Sequence, residues 1–289
     1  MKRIWVLGSN GRLGAAMMRK WAGKCDLRGF TRQECDVANE AQLRTVLEGG
    51  GFDWLINCTG MTNVDACESE QPLAQQVNAA APELMAKICT DVLARLIHFS
   101  TDYVFDGEKP TPYTEDDAAN PLGVYGATKL EGEQRVIAVS DQHIVARVSW
   151  LFGPDKPSFV DAIIQRALKE DSVQAVEDKT SCPTYSDDVA DWFWKVMENY
   201  PDGGLYHACN SGGCSWREYG EYAIRCAANV GAPVKTQDVE GIPLTSLKNF
   251  IAKRPPHTLM ANQKLAAAIG APLRDWKPAV EEFVYRKFS

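Results

Sequence analysis

The residues that most constrain this chain stand near its start. Four apolar residues, Ile4 to Leu7, stop at Gly8-Ser9-Asn10-Gly11-Arg12-Leu13-Gly14. Leu13, Met17 and Trp21 then recur four apart on one helical face, and Gly23 is placed to end the helix. A short buried strand, a tight glycine turn and an amphipathic helix, in that order, make a βα unit. Glycines at the turn let backbone N–H groups approach a pyrophosphate closely. The spacing is G-x-x-G-x-x-G rather than G-x-G-x-x-G, and its place between strand and helix marks a dinucleotide site more than the glycines alone do.

The same alternation continues. Strands are predicted at Asp26 to Thr31, Trp54 to Asn57, Arg95 to Ser100 and His143 to Val148, with helices over Asn39 to Leu47, Asn78 to Val92 and 125 to 139 between them. Five strands with crossover helices by residue 148 predict an α/β fold, a doubly wound parallel sheet of the Rossmann type. After Trp150 the rhythm loosens into shorter helical segments at 158 to 170, 187 to 199 and 215 to 229. The expected division is residues 1–150 as dinucleotide-binding domain and 151–289 as a smaller α/β region, mainly substrate-binding, parts of which return to pack on the first.

Composition excludes several classes. Of 289 residues 45% are hydrophobic and 24% charged, enough apolar material for a sizeable core. The net charge of −7 argues against nucleic-acid binding and against a polybasic membrane surface. No run approaches the roughly 20 apolar residues of a membrane span. Nine scattered cysteines without C-x-x-C or a nearby His pair read as reduced thiols of a cytoplasmic protein. Cys58 and Cys89 fit small buried positions, and His98, inside an apolar strand, fits a satisfied core residue better than a metal ligand. The acidic run Glu115-Asp116-Asp117 reads as a solvated face.

At the tip of the second strand stands Gly29-Phe30-Thr31-Arg32, with no acid to take a ribose 2′-hydroxyl, so Arg32 favours the 2′-phosphate of NADPH, with NADH the alternative. Tyr125 and Lys129 share a helical face, and an ammonium near a phenol is expected to draw its pKa toward neutrality, as acid catalysis needs. Ser100-Thr101-Asp102 brings hydroxyls to the carboxyl end of a parallel strand, the edge where open sheets bind ligands.

These motifs, with Ser100 to Gly107 and Tyr125 to Glu133, resemble an extended short-chain dehydrogenase/reductase. Within that superfamily the chain resembles the dTDP-4-dehydrorhamnose reductases through Asn57 to Glu70, Val77-Asn78, Arg147 to Gly153, Asp178 with Pro183-Thr184, and Arg254-Pro255. The resemblance implies Tyr125 as proton donor, Lys129 as the group binding the nicotinamide ribose and lowering the tyrosine pKa, and Thr101 as the residue orienting the carbonyl. It puts Gly8, Asn10, Gly11, Arg12, Leu13 and Gly14 at the pyrophosphate. Arg32, Asp36 and Val37 then flank the adenosine end, and Asn57, Cys58, Thr59, Gly60, Thr62, Val64 and Asn78 lie along the cofactor or near the substrate. Asp102 and Trp150 would face the sugar, and Arg254 its diphosphate.

The implied reaction is NADPH-dependent reduction of the C4 ketone of a nucleotide-linked 4-keto-6-deoxy sugar, dTDP-4-dehydrorhamnose to dTDP-rhamnose, with a homodimer compatible. Where family members carry a magnesium-binding glutamate this chain has Ala16, so no metal is expected. The strings Asp178 to Thr184 and Lys253 to Thr258 depart from the family's usual ones. Two alternatives are a sugar-nucleotide epimerase or dehydratase, and a non-catalytic NADP-binding subunit resembling the regulatory subunit of methionine adenosyltransferase.

Overall fold

The structure, a computed structural model, describes residues 1–288. Its first half runs β1 (Arg3–Leu7), α1 (Arg12–Trp21), β2 (Asp26–Phe30), α2 (Glu40–Leu47), β3 (Trp54–Asn57), α3 (Val64–Ser69), α4 (Gln71–Gln75), a π-helical turn (Gln76–Ala80), α5 (Ala81–Asp91), β4 (Arg95–Thr101), α6 (Val124–Val139) and β5 (Ile144–Val148). The predicted helix at 78–92 thus begins inside a π turn, a distortion common near functional sites. Asn39 caps α2 by accepting from Gln42 N, so the helix starts one residue later than its apolar pattern suggests.

The second half runs β6 (Leu151–Phe152), α7 (Phe159–Ala167), β7 (Val173–Val176), β8 (Thr180–Ser181), β9 (Thr184–Tyr185), α8 (Ser186–Asn199), β10 (Gly204–His207), β11 (Cys214–Ser215), α9 (Trp216–Asn229), β12 (Val239–Ile242), α10 (Gln263–Ile269) and α11 (Trp276–Phe288). Only α7, α8 and α9 follow from periodicity.

The main sheet is parallel throughout, in the order β2-β1-β3-β4-β5-β10. Every residue of β3, β4 and β5 is buried, as central strands covered on both faces must be. One face packs Leu13, Met17 and Trp21 of α1 against α8 and α10, and the other packs α2, α5 and α6. The sixth strand, β10, and the helices α8 and α10 come from beyond residue 150, so the chain returns to the first sheet after leaving it.

The remaining strands form two-stranded sheets, β6 with β9, β7 with β12 and β8 with β11. They surround an aromatic core of Phe152, Tyr185, Tyr219, Trp276 and Phe283. Capping boxes at Ser158/Asp161 and Ser215/Glu218 start α7 and α9. Among the described residues no helix is long and apolar enough to cross a membrane.

Candidate active site

The order of strands reverses between β1 and β3, and a cleft of about 390 Å³ opens at their carboxyl ends. Gly8 takes a left-handed φ of +74°, which permits the turn. A Cβ on Gly14 would lie 2.2 Å from the Gly8 carbonyl oxygen, so only glycine lets α1 start this close to the strand end. Gly11, the N-cap of α1, has no side chain to occupy the helix's first N–H groups. The cradle therefore fits a pyrophosphate.

Gly8, Asn10 and Gly11 line the cleft, as do Arg32, Asp36 and Val37 beyond β2, and Cys58, Thr59 and Gly60 beyond β3. Arg32 is exposed at the mouth, with Nε 3.3 Å from Asp36 Oδ2. Cys35, Met61, Glu70, Leu73 and Val77 also line it. Sequence reasoning missed these, because α4 and the π turn bend across the cleft and no local pattern announces that.

Other residues expected at the cofactor do not line the cleft. Leu13 is core. Arg12 reaches across to the second half, where its Nη2 donates to Pro157 O at 2.5 Å. Asn57 and Asn78 are fully buried. Asn57 Oδ1 accepts from Thr59 N (3.0 Å) and Thr59 Oγ1 (2.5 Å). Asn78 holds both backbone groups of Met61, accepting from its N–H and donating to its carbonyl. Thr62 stands beside Gly60, and Val64 packs in the small cluster that holds Tyr125.

Thr101 ends β4, and its hydroxyl, which donates to Asp102 Oδ1 and accepts from Tyr103 N, stands near enough to the phenol of Tyr125 to favour its ionised form. Lys129 lies one turn further along α6. Its Nζ donates to Phe99 O at 2.7 Å and lies 3.4 Å from His98 Nε2. A Cβ on Gly60 would be 3.9 Å from Nζ, so the amine borders the cleft. Burial brings the Lys129 pKa down to about 8, against the opposing pull of Glu133 and Cys67.

The expectation that Lys129 depresses the phenol is corrected here. Burial raises the Tyr125 pKa, and the neighbouring Thr101 hydroxyl offsets only part of that. The Lys129 amine donates to the Phe99 carbonyl, and its charge is not among the causes that move the phenol.

The three residues expected on the substrate side each have partners within the chain. Asp102 does not face an open site. Its carboxylate is buried and accepts from Thr101 Oγ1 (3.2 Å), Ser181 Oγ (3.0 Å) and Thr258 Oγ1 (2.5 Å). Burial raises its pKa, while Lys179 nearby favours its charge. Trp150, in a left-handed conformation (φ 37°), stacks on Tyr219 with centroids 6.1 Å apart and borders a cavity of about 160 Å³ walled by Phe159, Trp216 and Tyr219. Arg254 binds Asp65 through two hydrogen bonds of 2.9 and 2.6 Å and lies 3.7 Å above the Phe250 ring.

The acidic run is not merely solvated: Glu115 accepts from His207 N, and Asp117 from Thr114 N and Lys109 Nζ. All nine cysteines are free. Among the described residues no group of three or more His, Cys, Asp or Glu is arranged to hold a metal ion.

A family model described as the RmlD substrate binding domain matches residues 1–288. The dTDP-4-dehydrorhamnose reductase of Mycolicibacterium smegmatis is 32% identical over 98% of this chain and 85% of its own length. That of Escherichia coli is 30% identical over 99% of this chain and 98% of its own. The chain belongs to the dTDP-4-dehydrorhamnose reductase family. Among solved structures, a dTDP-4-dehydrorhamnose reductase from Bacillus anthracis in complex with NADP superposes with a TM-score of 0.92 at 29% identity, covering 99% of this chain and 100% of that one. A UDP-glucose 4-epimerase from Thermotoga maritima, 14% identical with a TM-score of 0.80, shares the fold over 99% of this chain and 98% of its own. The reductase family and the Rossmann-type fold both agree with the motifs read from the sequence.

Proposed function

We propose that this chain is an NADPH-dependent reductase of the C4 ketone of a nucleotide-linked 4-keto-6-deoxy sugar, with dTDP-4-dehydrorhamnose as substrate. One observation carries the reading. Tyr125, near the Thr101 hydroxyl that ends β4, stands one helical turn from Lys129, whose amine borders Gly60 in a cleft that fits a dinucleotide. Names of relatives across the full chain support the same reaction and cofactor.

Gly8, Asn10 and Gly11 would hold the pyrophosphate of NADPH, Arg32 its 2′-phosphate and Lys129 its nicotinamide ribose. When bound, NADPH supplies the hydride. Thr101 positions the carbonyl oxygen by hydrogen bonding, and Tyr125 gives its phenolic proton to that oxygen as charge develops there. A raised tyrosine pKa keeps the phenol protonated at neutral pH, which is the state a donor needs. Residues 1–150 carry this chemistry, and 151–289 mainly hold the sugar nucleotide. Arg254 is the diphosphate partner in this reading, because its planar fork, already aligned on Asp65, suits phosphate oxygens equally well. Nine unpaired thiols support a reducing compartment, the cytoplasm.

The test is NADPH oxidation with dTDP-4-dehydrorhamnose, followed by the loss of reduced-nicotinamide absorbance, with NADH and UDP-linked keto sugars in parallel. Turnover that Tyr125→Phe abolishes supports the reading. Binding of NADPH without oxidation by any of these sugars overturns it in favour of a hydride-recycling or regulatory role.

A further inference from the structure

Behind the cleft, Asn57, His98 and Lys129 form a buried chain of contacts. Asn57 Oδ1 is committed to two donors, the N–H and hydroxyl of Thr59. Its Nδ2 therefore faces His98 Nδ1, 2.9 Å away, and donates to it. His98 is fully buried, and burial, aided by the Lys129 charge, pushes its pKa well down, so the ring is neutral. A neutral ring that accepts at Nδ1 carries its one proton on Nε2. Lys129 Nζ is the group nearest that nitrogen, 3.4 Å away.

An ammonium facing an N–H sets two donors against each other, whereas an amine offers its lone pair. We propose that His98 is a positioning residue for Lys129. Held by Asn57, it presents Nε2–H to Nζ, locates the amine between itself and the Phe99 carbonyl, and biases Lys129 toward its neutral form. The histidine thereby sets the upper pH limit of cofactor binding, and this rests on the reading that the Lys129 ammonium binds the nicotinamide ribose. The groups facing Lys129 are Glu133 on its own helix, Cys67 from α3 and His98 from β4. Glu133 is engaged in turn by Arg147 from β5 at 2.7 Å. Of these, His98 alone turns a fixed donor toward Nζ. Lys179, the other lysine brought down to about 8, donates instead to Pro255 O in the second half.

The experiment is fluorescence titration of NADPH across pH 7 to 10 with the wild type, His98→Leu, His98→Gln and Lys129→Met. A lysine titrating near 8 makes wild-type binding about tenfold weaker at pH 9 than at pH 7, by the protonated fractions alone. Lys129→Met should abolish that decline, which assigns it. His98→Leu should shrink it to about twofold by moving the titration up by about one pH unit. His98→Gln, whose amide N–H can replace Nε2–H, should restore most of it.

A folded His98→Leu protein with the full tenfold decline overturns the proposal and leaves His98 as core packing. So does a wild type that binds without any decline, or a decline that survives Lys129→Met. Should His98→Leu fail to fold, Asn57→Ala releases Nδ1 and lets the ring turn an acceptor to Nζ, and it must raise the limit in the same way. Absence of NADPH binding at every pH defeats the cofactor reading itself, a distinct result.

Discussion

The two halves of this chain build their parts of the site in different ways. In the first half several groups of the site sit within a few residues of a strand end, Gly8 after β1, Arg32 after β2, Thr59 after β3 and Thr101 closing β4, while Tyr125 and Lys129 come from α6. Position along the chain and position in the site are nearly the same thing, because a parallel sheet brings all its carboxyl ends to one edge. In the second half four of the strands are only two residues long, and its polar side chains find their partners in distant segments. Asp102 is held by Ser181 and Thr258, and Asp65 by Arg254 and the backbone N–H groups of Ile251 and Ala252. A half built by local rules is expected to fail through its chemistry, and one built by long-range contacts through substrate affinity.

The sharpest way to break this contrast is Tyr125→Phe. Removing the proton donor should lower turnover by about 100-fold or more with the melting temperature and NADPH affinity retained, measured by steady-state kinetics and thermal unfolding. Near-normal turnover would remove the first half's claim to the chemistry. Gly14→Val follows. Its Cβ would meet the Gly8 carbonyl, so it should cost about 1–3 kcal/mol in denaturant unfolding and weaken NADPH binding at least tenfold. A fully stable variant with intact binding would show that the turn relaxes freely.

In the second half, Arg254→Ala should raise the KM for the sugar nucleotide about tenfold while leaving the NADPH dissociation constant alone. A change in cofactor affinity instead would mean that Arg254 belongs to the other half's function.

The join between halves is tested by pH. His207 on β10 is neutral and buried, its pKa brought from 6.5 to about 3 by burial first and the Arg147 charge second. The unfolded chain takes a proton near pH 6.5 and the native one does not until about pH 3. Stability is therefore lost as pH falls through that window, by at most about 1.4 kcal/mol per pH unit. Urea midpoints at pH 7 and pH 5, compared with His207→Gln, measure that slope, and equal slopes in the two proteins would refute the assignment.

The smallest effect is expected from Arg32→Ala, because the side chain is exposed and already beside Asp36. It should reduce preference for NADPH over NADH by severalfold, read from the two dissociation constants.

Much of the first half was legible before any coordinates. The strand at Trp54–Asn57 and the helix carrying Tyr125 and Lys129 match the structure to within a residue, because burial on both faces leaves continuous apolar runs and helices leave a period near four. Less legible was the lining from Glu70, Leu73 and Val77, since a short helix and the π turn that follows it carry no apolar period that marks a face. The direction of the Tyr125 shift was misread for a related reason. Spacing brings a lysine near, but only the packed structure says how much water is lost and where the amine points.

By itself the sequence determined the doubly wound sheet, the glycine cradle and the spacing of Tyr125 and Lys129 on one helix, each of which rests on short-range patterns within a strand or a helical turn. Only the tertiary structure decided that Asp102 is spent on Ser181 and Thr258, that Arg254 rests on Asp65, and that His98 stands behind Lys129. The physical reason is the range of the interaction. Backbone conformation and amphipathic period are written locally, whereas a buried polar group must find its partner wherever the topology delivers one, and that partner has no sequence distance to betray it.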